Sequence, residues 1–410
     1  MVEHVILHAG MQKTGSTSIQ QSLIHFDDGE TFYCPFPNPQ HAEFLRHAFI
    51  SEEKLYGEGR ERDIYGYSPD TIFALRQFAQ SFFLRTLSNK RRKTVIFSSE
   101  GLSLRPDDMK ARLIQTIKNM GCRVTVILYL REPLGFASSS FQERLKAKSL
   151  NSLPDKITPK YRQQLRVFDQ LCGDDRFIVR EFGREALVRG DVVDDFAKLA
   201  GIECKTKFEH NESLTLPAVK LLYWFNINGP NARANRWLFK AKKRMVRFLR
   251  SAYRDSPKVP KAWFQQLADF SDSDFVYRRT GIQFKTPRTG EPFDLNRYLQ
   301  DLKDVDPTPL RHFLDAVEID CPAKASLTDL LLCVYDYISR VPVSVNFDHM
   351  MRQRSIPFTP DLMSNPLEPL RITYRDRMKW FQSAEPEMSL QDRRKASFMR
   401  QYTKDPDLYG

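Results

Sequence analysis

The sequence predicts a three-layer α/β/α fold with a mostly parallel sheet, followed by a largely helical C-terminal region. Three observations carry this expectation. Apolar runs of strand length stand at Val5–Leu7, Lys93–Gly101, Arg123–Leu130 and Arg176–Arg180. Segments of helical periodicity separate them, and strands alternating with helices imply right-handed βαβ units. Beyond about residue 230, helical segments joined by proline-rich connections take over.

In chain order, the first strand runs into Gly10 and a helix is expected over Ser16–Phe26. Thr31–Cys34 reads as a short strand closed by Pro35, Pro37 and Pro39. His41–Phe49 has helical spacing, with Phe44, Leu45, Ala48 and Phe49 on one face. Polar Glu52–Tyr67 reads as a loop, and Ser68-Pro69-Asp70 starts a helix that runs through Leu87, with proline at its first position. A helix at 107–119 precedes Arg123–Leu130, the strongest strand, and a helix at Asp191–Ala200 follows the last strand. In the C-terminal region, Arg233–Arg254 is helix-compatible, Thr328–Ser339 is the most apolar helical segment, and 384–410 is a polar tail.

The 410 residues are 41% hydrophobic and 28% charged, values of a soluble globular protein with one large domain and additions, or two domains. A net charge of +12 favours polyanionic partners without distinguishing nucleotide, acidic glycan, nucleic acid or membrane surface. The six cysteines are scattered and form no C-x-x-C pair, so reduced core thiols are expected rather than disulfides or a metal site. No apolar run approaches the roughly 20 residues of a transmembrane helix, and the N-terminus has no apolar leader segment. Cytoplasmic residence is therefore the default.

The chemistry gathers where the first strand turns. Between Gly10 and Gly15 the chain reads Met-Gln-Lys-Thr, and Ser16 opens the helix. A glycine-bounded loop between a strand and a helix N-terminus presents backbone N–H groups and the positive end of the helix dipole to an anion. Gly10, Gly15 and Thr17 meet the nucleotide-binding pattern G-x-x-x-x-G-K-[ST], but Ser16 holds the lysine position and Lys13 stands inside the loop. An ordinary βα turn is the competing reading. Because ligands gather at the carboxyl ends of parallel strands, loop 10–17, Ser98-Ser99-Glu100 and Arg131 are expected on one rim.

Gln12-Lys13-Thr14-Gly15-Ser16-Thr17 resembles the phosphosulfate-binding loop of sulfotransferases that use 3′-phosphoadenosine 5′-phosphosulfate (PAPS). Leu130-Arg131-Glu132-Pro133 is similar to that family's strand followed by Arg-x-Pro, and Ser139 stands eight residues after Arg131, as in the family. Gly190–Ile202 and Asn211–Leu222 resemble segments of the bacterial polysaccharide and lipopolysaccharide sulfotransferases. The resemblance covers roughly residues 1–228, specific at two motifs and loose between them. It implies a P-loop NTPase-like, PAPS-binding core at 1–228, and leaves 229–410 for acceptor binding or oligomerisation. It also implies sulfuryl transfer to an acceptor hydroxyl, on a carbohydrate or glycolipid. Residues 12–17 would hold the donor, Arg131 and Ser139 its 3′-phosphate, and Lys13 would neutralise the leaving group, with no metal.

Two residues are candidates for the base that takes the acceptor's proton: Glu100, directly after a buried strand on the active rim, and His41, a residue type suited to proton transfer near neutral pH. Arg233–Arg254 contains no acidic residue and reads either as a peripheral contact to membrane or anionic glycan, or as a solvated basic face on a packed helix. No nucleic-acid partner is expected. The competing functions are a P-loop kinase or nucleotide hydrolase, disfavoured by the missing lysine after Gly15, and a non-catalytic nucleotide- and polyanion-binding module.

Overall fold

The computed structural model describes residues 1–36, 38–57, 68–147, 152–172, 176–208, 213–229, 236–285, 293–319 and 321–340. Five strands, β1 (His4–His8), β2 (Thr31–Tyr33), β3 (Thr94–Ser98), β4 (Arg123–Leu130) and β5 (Phe177–Glu181), form one sheet in the order β2-β3-β1-β4-β5. All its strand pairs are parallel, with His8 opposite Ser98 on one side and Ile127 on the other. β1 is central, and the chain leaves it towards one edge while β4 leads to the other. That reversal makes the carboxyl ends of β1 and β4 the sheet's topological switch point, where ligands gather in open α/β sheets.

The period-2 alternation of the strands sorts their side chains onto two faces. Val5, Leu7, Val95, Phe97, Val126 and Leu128 join one core cluster, and Ile6, Ile96, Ile127 and Tyr129 join a second. Two helices supply the second cluster: α1 (Ser16–Leu23) with Ile19 and Leu23, and a later helix, Val192–Ala200, with Val193 and Phe196. Across the sheet lie α2 (Ala42–Phe49), α3 (Glu52–Gly57), α4 (Pro69–Leu87), α5 (Asp107–Asn119), α6 (Pro133–Ala147) and α7 (Tyr161–Cys172), and Val192–Ala200 becomes α8. The expected three layers are present.

Several boundaries fall where local chemistry puts them. The Ser68 side chain accepts from the Thr71 N–H and caps α4, with Pro69 at its first position. The Asp191 carboxylate caps α8 by accepting from Val193 and Asp194 N–H. The first helix ends at Leu23, short of Phe26, because Ile24 is extended and His25 has a φ of 65°. Part of the loop expected at Glu52–Tyr67 is helical: Glu52 and Glu53 complement the dipole at the start of α3. The remainder of that segment, residues 58–67, lies outside the described residues.

The C-terminal helices are α9 (Leu216–Asn228), α10 (Arg236–Ala252), α11 (Ser273–Thr280), α12 (Leu295–Gln300), α13 (Thr308–Ala316) and α14 (Leu327–Arg340). The core cluster of the first sheet face continues through Phe141, Tyr223, Phe248, Leu310 and Leu331, so these helices share a core with the sheet layer. On α14, Leu330, Leu331, Val334, Tyr335 and Ile338 are all buried, each contributing about 1.5–3 kcal/mol. The six cysteines are free thiols, three of them buried. No described helix is long and apolar enough to cross a membrane.

α10 carries the basic run, and its apolar side packs as expected through Met245, Phe248 and Leu249. Two of its cations are buried with that side. Lys242 donates to the Asn226 side-chain oxygen, and Arg244 donates to the backbone oxygens of Ile338 and Ser339 at 3.2 and 2.9 Å. Lys240, Lys243 and Arg247 lie on the exposed face. Residues 233–235 and the tail 384–410 lie outside the described residues.

Candidate functional site

The loop between β1 and α1 is stitched to both neighbouring strands. Ala9 N–H donates to the Ile127 carbonyl at 2.9 Å, Gly10 N–H to Ser99 at 3.1 Å, and Gly101 N–H returns to the Gly10 carbonyl at 2.6 Å. These bonds fix the loop's entry at the sheet's switch point. Inside it, the Thr14 hydroxyl donates to the Met11 carbonyl at 2.7 Å and closes the turn. Lys13 adopts a φ of 68°, a left-handed backbone that a non-glycine residue takes only under local constraint. Part of that constraint is visible: the Arg131 guanidinium donates to the Lys13 carbonyl at 2.6 Å.

Both glycines stand at close approaches. A Cβ on Gly10 would come within 2.4 Å of the Ser16 hydroxyl oxygen, and one on Gly15 within 2.7 Å of Val192 Cγ1. Gly15 is also left-handed, at φ 74°, and caps α1 without a side-chain hydrogen bond. The N–H groups of that first turn therefore receive no side-chain cap. The Ser16 hydroxyl is 3% exposed and has no hydrogen-bond partner. A helix start without a side-chain cap is a place where an anion can bind, and the Ser16 hydroxyl behind it, against Gly10, has its hydrogen-bonding capacity unmet.

Arg131 meets this loop at the Lys13 carbonyl. The Arg131 guanidinium lies 5.5 Å from the centre of the Phe182 ring, and burial lowers its pKa below the ordinary arginine value. The Tyr161 hydroxyl donates to the Arg131 carbonyl and anchors the strand end. Gly135 lets the first turn of α6 lie against that side chain, since a Cβ there would be 3.0 Å from Arg131 Nε. Lys13 reaches across to α6, where its ammonium meets the Glu143 carboxylate at 2.6 Å. Ser139 is half-buried one helical turn before Glu143, on the same face. Ser138 and Ser140 are buried.

The structure thus gathers Lys13, Thr14, Gly15, Ser16 and Arg131, with Ser139 one turn from Lys13's partner. Gln12 and Thr17 are exposed at the loop's surface. Glu100 is half-buried between Ser99 and Gly101, the two residues hydrogen-bonded to Gly10, so it adjoins the loop's entry. His41 is brought to the carboxyl end of β3, where its backbone N–H donates to the Ser98 carbonyl at 2.9 Å, but its ring is enclosed by the core. It is fully buried beside Tyr33, Phe44 and Phe97, and its Nδ1 accepts from the Ser98 N–H at 3.1 Å. Burial pulls its pKa down to about 3, so it is a neutral core imidazole without access to solvent.

Sequence reasoning missed Glu143 and the polar layer beneath the loop. Helical spacing from Ser139 could have flagged Glu143, but nothing local ties it to Lys13. In the layer below, His8 Nδ1 lies 2.8 Å from the Ser98 hydroxyl, which also accepts from the Gln20 amide at 3.2 Å. Burial lowers the His8 pKa to about 3, leaving the ring neutral, and its Nε2 has no partner. Among the described residues, no group of three or more His, Cys, Asp or Glu is placed to hold a metal ion. Compared with known proteins, the chain matches no family model, no curated protein and no solved structure.

Proposed function

We propose that the protein is a PAPS-dependent sulfotransferase that moves a sulfuryl group to an acceptor hydroxyl, on a carbohydrate or glycolipid. The observation that carries the reading is the set of groups around loop 10–17. An unpartnered buried Ser16 hydroxyl, an uncapped helix start, Lys13 and Arg131 meet at the switch point of a parallel sheet. The resemblance of loop 12–17 and of Arg131 to Ser139 to sulfotransferase motifs supplies the donor's identity.

In this reading the loop N–H groups and Ser16 hold the donor's 5′ end, while Arg131 and Ser139 take its 3′-phosphate. The acceptor oxygen attacks sulfur in line, an O–S bond forms, and the S–O bond to the 5′-phosphate breaks with its electrons passing to that phosphate. Lys13 neutralises the charge that develops on the leaving oxygen, as preorganised cations do in phosphoryl transfer. The acceptor's proton passes to Glu100, the candidate base that adjoins the loop, since His41 lies inside the core.

The test is turnover. Incubation with PAPS and a panel of glycans and glycolipids should release 3′-phosphoadenosine 5′-phosphate (PAP) in an acceptor-dependent way. Lys13→Ala should slow release by about 10²–10³-fold, the usual cost of losing one electrostatic donor in a transition state. ADP formation from ATP with magnesium, and no PAP release from PAPS, would overturn the reading.

A further inference from the structure

The Lys13–Glu143 contact brings together two residues 130 positions apart and places a carboxylate against the loop's own cation. Glu143 Oε2 is 2.6 Å from Lys13 Nζ, and its other oxygen is 3.9 Å from Lys146. The pair is half-open to solvent, with side-chain exposures of 23% for Lys13 and 37% for Glu143. The Lys13 backbone is fixed from the other side by Arg131, so its ammonium has a defined reach. An anion entering the loop must therefore displace the Glu143 carboxylate from Lys13 or share the ammonium with it.

We infer that Glu143 is a specificity-determining residue of this site, an internal counter-charge that weakens the loop's hold on every anion. The penalty is similar for each anion that uses Lys13, so small anions, held by Lys13 and the helix start alone, are the first to fall below useful affinity. A two-ended anionic ligand, which also engages Arg131 and Ser139, tolerates the competition. The inference rests on loop 10–17 being the anion site of the proposed function. Glu143 acts through Lys13 and is a positioning residue.

The experiment compares wild type with Glu143→Gln, which keeps the side chain's shape and removes its charge. Glu30→Gln serves as control, because Glu30 pairs with a lysine in the same way, Lys93 at 3.1 Å, but at the opposite end of the sheet. Two probes are used: calorimetric titration with PAP, and the rise in melting temperature on adding inorganic sulfate. For Glu143→Gln the expected result is about fivefold tighter PAP binding, the scale of a half-exposed charge pair. A larger sulfate-induced shift than wild type should accompany it, while Glu30→Gln stays within about twofold of wild type. Equal or weaker binding by Glu143→Gln, or the same gain in Glu30→Gln, overturns the inference. If no variant binds PAP but sulfate still stabilises Glu143→Gln more than wild type, the donor assignment falls and the role of Glu143 stands. If sulfate stabilises neither more than the other, the role of Glu143 falls as well.

Discussion

The molecule contains two cationic regions that differ in what their charges touch. In α10, Lys242 and Arg244 are buried and held by groups that belong to the fold: the Asn226 amide and the last carbonyls of α14. Arg244 satisfies orphan carbonyls at a helix C-terminus, where positive charge is favoured. At loop 10–17, Lys13 is held by Glu143 in a pair that water reaches, next to a buried hydroxyl without a partner. A dense basic run is thus partly structural cement, whereas the two isolated cations lie at the candidate site. What distinguishes them is whether the partner can be exchanged, which composition does not reveal.

Three substitutions sharpen this contrast. Arg244→Ala should have the largest effect on stability, about 2–3 kcal/mol, since charged hydrogen bonds to two buried carbonyls are lost. Urea unfolding would measure it, and PAP affinity should stay within about twofold. A stable Arg244→Ala, or one with weakened PAP binding, would break the distinction.

Asp195 is the next largest. It is 1% exposed and accepts from the Tyr129 hydroxyl at 2.9 Å, Arg180 at 2.7 Å and the Val188 N–H at 3.1 Å. Burial pushes its pKa up, but Arg180, Tyr129 and Val188 together hold it below the ordinary carboxylate value. The stabilisation is therefore present above the unfolded pKa of about 3.9 and is lost as pH falls through the lower folded value. Asp195→Asn should lose about 1–2 kcal/mol at neutral pH and flatten the acid limb of a stability–pH curve. An unchanged acid limb would show that these donors do not favour the ionised form.

Lys13→Met should have the smallest effect on stability, under about 1 kcal/mol, because half-exposed ion pairs contribute little. Scanning calorimetry would test this. A loss as large as that of Arg244→Ala would make Lys13 structural and erase the contrast.

The parts of the fold that depend on local pattern were legible. β4 and α5 fall on Arg123–Leu130 and Asp107–Asn119, as their apolar spacing and acidic first turn predict. The buried cations of α10 were not legible, because Arg244 meets carbonyls 94 and 95 residues away. The site divides in the same way. Gly10, Gly15 and Lys13 announce a loop, and Arg131 after a strong strand announces a rim residue. Glu143 meets Lys13 only because the fold brings α6 to the loop after β1, 130 residues away in sequence, and His41 looks like a base until tertiary structure encloses it among aromatic rings. Nothing within a few residues of either position carries that information.

The most direct test of the central claim, that loop 10–17 and Arg131 form a site for a two-ended anionic nucleotide, is calorimetric titration with PAP beside ATP plus magnesium. Wild type and Arg131→Ala would be compared. The account predicts metal-independent PAP binding that weakens about tenfold or more in Arg131→Ala, the scale of a charge-assisted hydrogen bond. Tighter binding of ATP with magnesium than of PAP, or PAP affinity indifferent to Arg131, would contradict it.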